Sequence, residues 1–217
     1  MLTWMIDHRD SLAPVGHQGS RPTCLSWAVS TVHDYVVQQE RMSIEYLHWS
    51  SGNYSGGRGN VLAASAALQL DGQPPRTQWE YLDTCDEQDA TYAPPTTVVG
   101  PFSRASLQAA AIDVDFIAAQ LLAARLPIVC LRVTDSFIAA RGGVVELDGP
   151  GQTGHATVAV GVALFTGIQP MGVIQPGERL VCLRNSWGNT WGVDGHCLIS
   201  EPALSQCGLG VLSLDLV

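Results

Sequence analysis

Pro14-Val15-Gly16-His17-Gln18-Gly19-Ser20-Arg21-Pro22-Thr23-Cys24-Leu25-Ser26-Trp27-Ala28 carries a Gly/Pro-rich loop straight into an apolar-periodic run, Leu25 to Val37. The pattern predicts a helix with Thr23 as its N-cap and Cys24 in its first turn. A thiol at that place meets unpaired backbone N–H groups and the positive end of the helix dipole. Both stabilise a thiolate and lower its pKa below the value of about 8.5 for a free cysteine. Gln18, six residues upstream, offers a side-chain N–H beside the sulfur. A nucleophile with a donor nearby is the start of an acyl-transfer site, the donor completing an oxyanion hole. The segment alone suits equally well a cysteine that is only a small buried apolar residue.

Gln18-Gly19-Ser20, Cys24 and the following Ser26-Trp27-Ala28 resemble the active-site segment of papain-like cysteine peptidases, Gln-Gly-x-Cys-Gly-x-Cys-Trp-Ala. Arg21 stands where that motif has its first cysteine, which forms a disulfide in secreted members. Pro22 replaces the next glycine, and Leu25 replaces the tryptophan beside the nucleophile, with Trp27 two places on. These departures remove no catalytic group and bear on the geometry of the loop. Asp7-His8-Arg9 ahead of Pro14-Val15 also resembles the start of a mature enzyme of the family. With no inhibitory pro-region in the sequence, control is expected from a separate inhibitor, restricted delivery or narrow specificity.

Two later segments extend the resemblance. Gly154-His155-Ala156-Thr157-Val158-Ala159-Val160-Gly161 opens a strongly apolar strand with a histidine. Taken alone, such a histidine is more often structural than catalytic, but the segment is similar to the family's His-Ala-Val-x-x-Val-Gly strand. Arg184-Asn185-Ser186-Trp187-Gly188-Asn189-Thr190-Trp191-Gly192-Val193-Asp194-Gly195 matches every fixed position of Asn-Ser-Trp-Gly-x-x-Trp-Gly-x-x-Gly. Without that likeness it would read as a Gly/Trp-rich hairpin turn. The resemblance implies that Cys24 is the nucleophile and His155 the general base. It makes Asn185 the acceptor of the imidazole N–H, and Gln18 with the Cys24 backbone N–H the oxyanion hole. Trp187 is implied to shield the His–Asn bond and wall the leaving-group side of the cleft. Gly57 or Gly59 is implied to lie along the substrate, the alternative being an ordinary flexible loop over Ser51–Asn60. His17, His33 and His48 have no such place, and His8 and His196 read as packing or surface residues.

Apolar residues make up 46% of the chain and charged ones 14%, a composition that builds a buried core and not a disordered segment. The formal charge of −9 leaves no basic stripe for nucleic acid. No run of about eighteen apolar residues is present to span a membrane. The N-terminal residues have neither the basic nor the apolar region of a signal peptide. Cys130, Cys182 and Cys197 lie in apolar strand-like runs, and no Cys-x-x-Cys occurs. Reduced thiols, no metal and no cofactor are therefore expected.

Helices are expected at residues 24–37, 43–49, 61–70 and 112–126, with the Ala/Leu richness of 105–126 assigned to helix. Strands are expected at 128–134, 143–147, 156–165, 180–185, 195–199 and 211–216, after an extended lead-in over 4–13. The fold class is α+β, one domain over 1–217. The resemblance implies the papain-like two-lobe fold, with a helical N-terminal lobe (10–111), an antiparallel β-rich, barrel-like C-terminal lobe (112–217) and the active-site cleft between them.

The activity implied is that of a cysteine endopeptidase acting on proteins or peptides through a thioester acyl-enzyme. Transamidation or deamidation on the same fold is the alternative chemistry, disfavoured by Asn185, since many such enzymes carry aspartate there. A silent binding module is disfavoured by the intact Gln/Cys/His/Asn set. The expected setting is a bacterial effector or interbacterial toxin, made in the cytoplasm, delivered by a secretion system and held by a cognate inhibitor or immunity protein. A housekeeping intracellular peptidase is the alternative.

Overall fold

A computed structural model describes residues 1–38, 40–52, 59–146, 148–168 and 174–217. The chain forms two compact units. One comprises Met1–His17 with Ala109–Ser213, the other Gln18–Gln108 with Leu214–Val217.

Among its described residues, the unit holding residues 18–108 is built on three α-helices. Helix α1, Cys24–Val37, buries Leu25 through Ser30 without a break, then Val32 and His33. Its first turns are therefore enclosed on several sides, which the small side chains of Ser26, Ala28 and Ser30 permit. Helix α2, Ile44–Ser50, starts where Ser43 Oγ accepts the Tyr46 N–H at 3.1 Å. Asn60 caps α3, Val61–Leu70, through the Ala63 N–H. Helix α2 packs against both α1 and α3, with Val29, Leu47, Ala64 and Leu68 fully buried. Beneath α1 lies a polar knot. His33 meets Gln73 Oε1 and Ser103 Oγ, both at 2.8 Å, and Gln73 Nε2 donates to Ser30 Oγ and the Ser43 carbonyl. His33 is thereby a satisfied structural histidine, its pKa lowered by burial.

In the other unit the spine is a thirteen-residue strand. Among the described residues of the whole chain, the strands are β1 Leu2–Asp7, β2 Ala105–Ala110, β3 Ile128–Val133, β4 Val144–Val145, β5 Thr153–Phe165, β6 Arg179–Arg184, β7 His196–Ser200 and β8 Gly208–Leu216. On one side of β5, its first half pairs antiparallel with β3 and its second half with β1. On the other side it pairs with β6, which pairs with β7. Residues 155–163 of β5 are all buried, which explains why the segment reads as a continuous apolar run and not as an alternation. The lead-in of the sequence is thus a true strand, β1, closing the far half of β5.

Helix α4, Val114–Leu122, is shorter than the span expected for it. It begins at Asp113, whose Oδ1 accepts the N–H groups of Asp115 and Phe116. Residues 105–110 are a strand and not helix. Alanine is the best helix former, but propensity yields to tertiary pairing, and the chain just before this strand bonds to the far terminus, Val217 N–H to Arg104 O at 3.1 Å. Two short helices not anticipated from sequence, α5 Asp135–Ala139 and α6 Glu201–Cys207, are capped by Thr134 and Ser200. No helix among the described residues is long and apolar enough to cross a membrane.

Candidate active site

His155 and Asn185 come together because β5 and β6 run antiparallel. Val158 lies opposite Arg184, so the residue after Arg184 leaves β6 alongside the start of β5. Asn185 Oδ1 accepts from His155 Nε2 at 2.7 Å and from the Ser186 backbone N–H at 2.8 Å. The backbone contact settles the amide orientation. A main-chain N–H can only donate, so the Asn185 atom it meets is the oxygen. His155 Nε2 must then carry the proton, and Nδ1 is left as the basic nitrogen of the neutral ring.

An aromatic cluster encloses this pair. The Trp187 ring lies 4.8 Å from the His155 ring, centroid to centroid. Phe137 stands edge-on to His155 at 5.7 Å and to Trp187 at 5.6 Å, while Trp191 contacts Phe137 and Trp187. Burial among these rings pushes the His155 pKa down from the ordinary 6.5 to about 4, with the Asn185 hydrogen bond working in the opposite direction. Phe137, on α5, carried no local signal of its role in the sequence.

The turn after Asn185 also holds the start of the Pro14–Ala28 segment. Arg184 donates to the carbonyls of Ala13 and Pro14 at 2.8 and 2.9 Å. Gly188 N–H donates to Gly16 O at 2.9 Å. Gly188 has φ +80, and a Cβ there would lie 2.8 Å from His17 Cδ2. Only glycine serves at that position.

Gln18, Cys24 and Gly59 lie in the other unit. Cys24 is half-buried at the first position of α1. Thr23 occupies the N-cap place, but its side chain makes no cap hydrogen bond and pairs instead with Tyr81 Oη at 2.7 Å. Tyr81 donates its own proton to the Gln18 carbonyl at 2.7 Å, so the Thr23 hydroxyl is the donor to Tyr81. Gln18 is buried and donates from Nε2 to the Arg21 carbonyl at 2.7 Å. Gly59 comes so close to Leu25 that a Cβ on it would lie 2.7 Å from Leu25 Cβ. Gly57 falls outside the described residues.

Arg21 and Glu45 are the residues of this region that sequence reasoning passed over. Arg21 is noticeable only as a departure from the family motif, and Glu45 only as the glutamate of Ser43–Trp49, a segment similar to Ser-x-Glu-Tyr-Leu-Tyr-Trp of bacterial papain-like peptidases that by itself assigns its side chain no role. The Arg21 guanidinium meets both Glu45 oxygens, at 2.7 and 2.8 Å, and Glu87 Oε1 at 2.6 Å. It also bonds the Leu82 carbonyl and the Tyr92 hydroxyl. Burial opposes its charge, but the two carboxylates win and hold its pKa well above the ordinary arginine value.

Residues 59–213 match the family described as papain family cysteine protease. No curated protein sequence matches the chain. Among solved structures, the cysteine protease CMS1MS2 of Carica candamarcensis is 19% identical, with 98% of this chain and 97% of that one covered, at a TM-score of 0.69. Xylellain, a cysteine protease from Xylella fastidiosa, is 18% identical over 100% of this chain and 87% of its own, at a TM-score of 0.73. The clostridial cysteine protease Cwp84 is 15% identical over 100% of this chain and 58% of its own, at 0.78. At these identities the structural likeness establishes the fold, a papain-like α+β architecture.

Proposed function

The chain belongs to the papain family of cysteine proteases, and from that premise we propose that it is an endopeptidase whose chemistry is carried by Cys24, His155, Asn185 and Gln18. His155 Nδ1 takes the Cys24 thiol proton, and the thiolate of the resulting thiolate–imidazolium pair attacks a peptide carbonyl. The Cys24 backbone N–H and the Gln18 side-chain amide hold the oxyanion of the tetrahedral intermediate. Protonated His155 gives its proton to the leaving amine, which frees the first product and leaves a thioester. The neutral imidazole then takes a proton from water, whose hydroxide attacks the thioester and regenerates the thiol. Trp187 keeps water from the His155–Asn185 bond, and Gly59 lies along the bound peptide.

One observation carries this reading. Ser186 N–H fixes the Asn185 amide, which in turn fixes His155 as the Nε2–H tautomer with a basic Nδ1. A general base needs that lone pair, and an aspartate in place of Asn185, as in many acyl-transfer relatives, would hold the ring differently. Cys24→Ala should abolish cleavage of a fluorogenic peptide while leaving the circular dichroism spectrum unchanged. Retained cleavage by that variant would refute the assignment.

The biological setting we propose is a bacterial effector, delivered to another cell and restrained by a cognate inhibitor in its producer. It rests on the sequence resemblance. Cytosolic expression that is toxic with Cys24 and harmless with Cys24→Ala supports it; harmless expression of active enzyme points to the housekeeping role. N-terminal proteomics comparing the two proteins would name the targets.

A further inference from the structure

The Arg21 carbonyl oxygen is a pivot. It accepts the Gln18 Nε2–H at 2.7 Å and the Thr23 backbone N–H at 2.9 Å, so it touches both the proposed oxyanion amide and the backbone immediately before Cys24. A primary amide nitrogen carries two N–H groups in one plane. The one given to Arg21 O therefore sets the direction of the other. An error in the place of this carbonyl becomes an error in the aim of the donor.

What holds the carbonyl is the residue's own side chain. A guanidinium has five N–H donors in a rigid fork, and each has a partner here. Nε goes to Glu87, one terminal nitrogen to Glu45 Oε2 and Leu82 O, and the other to Glu45 Oε1 and Tyr92 Oη. Glu45 is equally committed. It is fully buried, and besides the Arg21 fork it accepts the Leu82 N–H at 2.9 Å and the Tyr92 hydroxyl. The fork also lies 5.0 Å over the Tyr81 ring, and Tyr81 holds the Gln18 carbonyl. The loop 18–23 is thus fastened at Gln18 O, at Arg21 and at Thr23, with no covalent link.

We propose that the Arg21–Glu45 ion pair positions the oxyanion hole: by fixing the Arg21 carbonyl it aims the Gln18 amide at the oxygen that becomes charged during peptide cleavage. This rests on the role given to Gln18 above. Arg21 and Glu45 are positioning residues that touch no substrate. They act only on the step in which an oxyanion forms, because only that step uses the aimed N–H.

A mutant cycle tests it. Peptide turnover would be measured for the wild type, Gln18→Ala, Glu45→Gln and the double variant, together with alkylation of Cys24 by iodoacetamide, a displacement that forms no oxyanion. Gln18→Ala should lower kcat by about 10² or more, as loss of an oxyanion donor does. Glu45→Gln, which keeps the shape and removes the charge, should lower kcat by about tenfold, with KM and the alkylation rate changed less than about twofold. In the Gln18→Ala background the same substitution should cost less than about twofold, since the donor it aims is gone. An equal loss in both backgrounds, or an unchanged kcat in Glu45→Gln, would overturn the proposal. If Gln18→Ala itself leaves kcat unchanged while Cys24→Ala abolishes it, the oxyanion role of Gln18 is what fails, and the proposal goes with it. Should Glu45→Gln not fold, Arg21→Lys keeps the charge, cannot span both Glu45 oxygens, and is held to the same outcomes.

Discussion

Trp187 covers the ring of His155, with centroids 4.8 Å apart and planes inclined at 42°. Burial is the first cause of the lowered His155 pKa, and the indole supplies part of it. Trp187→Ala should therefore raise the pKa from about 4 toward the ordinary 6.5. NMR titration of the imidazole, carried out in the Cys24→Ala background so that no thiolate contributes, reads this directly. A value that stays near 4 would assign the effect to Phe137 and the strand alone.

Stability should fall on mild acidification. The folded-state pKa of His155 lies below its unfolded value of 6.5, so the unfolded chain binds more protons between the two values. The contribution is fully present above pH 6.5 and is lost as pH falls toward about 4, with a slope of at most about 1.4 kcal/mol per pH unit. His33, His48 and His196 are lowered by burial as well and add to the same slope. Urea unfolding of Cys24→Ala and Cys24→Ala/His155→Gln across that range isolates the His155 share. Parallel curves for the two proteins would contradict it.

Removing the base should cost more than loosening it. His155→Ala is expected to lower kcat/KM by roughly 10²–10⁴, the range of general acid–base catalysis. Asn185→Ala should cost less, because it frees the tautomer and orientation and transfers no proton. Asn185→Asp places a carboxylate at Nε2, which raises the imidazole pKa and should move the acid limb of the pH–rate profile upward.

Gly59→Ala should disturb the nucleophile from a distance of sequence. The new Cβ would stand 2.7 Å from Leu25 Cβ, a separation that neither atom can hold. Leu25 is the residue after Cys24, so relief by movement of α1 shifts the sulfur. An altered rate of Cys24 alkylation, with a loss of about 1–3 kcal/mol of stability from overpacking, is the expected pair of readouts. Stability and alkylation both unchanged would show that the loop yields instead.

The buried Arg21–Glu45 pair should be costly to halve and cheap to replace whole. Glu45→Leu leaves a guanidinium that is only 5% exposed with Glu87 as its one carboxylate partner and should destabilise by up to about 3 kcal/mol. Arg21→Met/Glu45→Leu should recover most of that loss in chemical denaturation, while catalysis stays impaired. Equal destabilisation in the single and double variants would refute this account.

Most helices and strands could be read along the chain, and the reasons are local. Ser43, Asn60 and Asp113 cap helices by reaching N–H groups two or three residues away. Strand β5 announces itself because burial on both faces demands an unbroken apolar run. Residues 105–110 misled because their composition is that of a helix, while their backbone joins residues from the far end of the chain. Strand β1 reads only as an extended lead-in, since its pairing with β5 joins residues far apart in the chain, and helices α5 and α6 span two turns or fewer.

The same distinction holds at the candidate site. Cys24, His155 and Asn185 could be named from neighbouring residues, since a helix start, a strand start and a Gly/Trp-rich turn are each written within a dozen positions. Nothing nearby says that Phe137 would lie against His155, or that Arg21 would find Glu45, Leu82, Glu87 and Tyr92, which are 24 to 71 residues away in the chain. A buried guanidinium takes whichever acceptors folding brings to its five donors. Those acceptors come from helix α2 and from loops with no periodicity, so folding in three dimensions selected them.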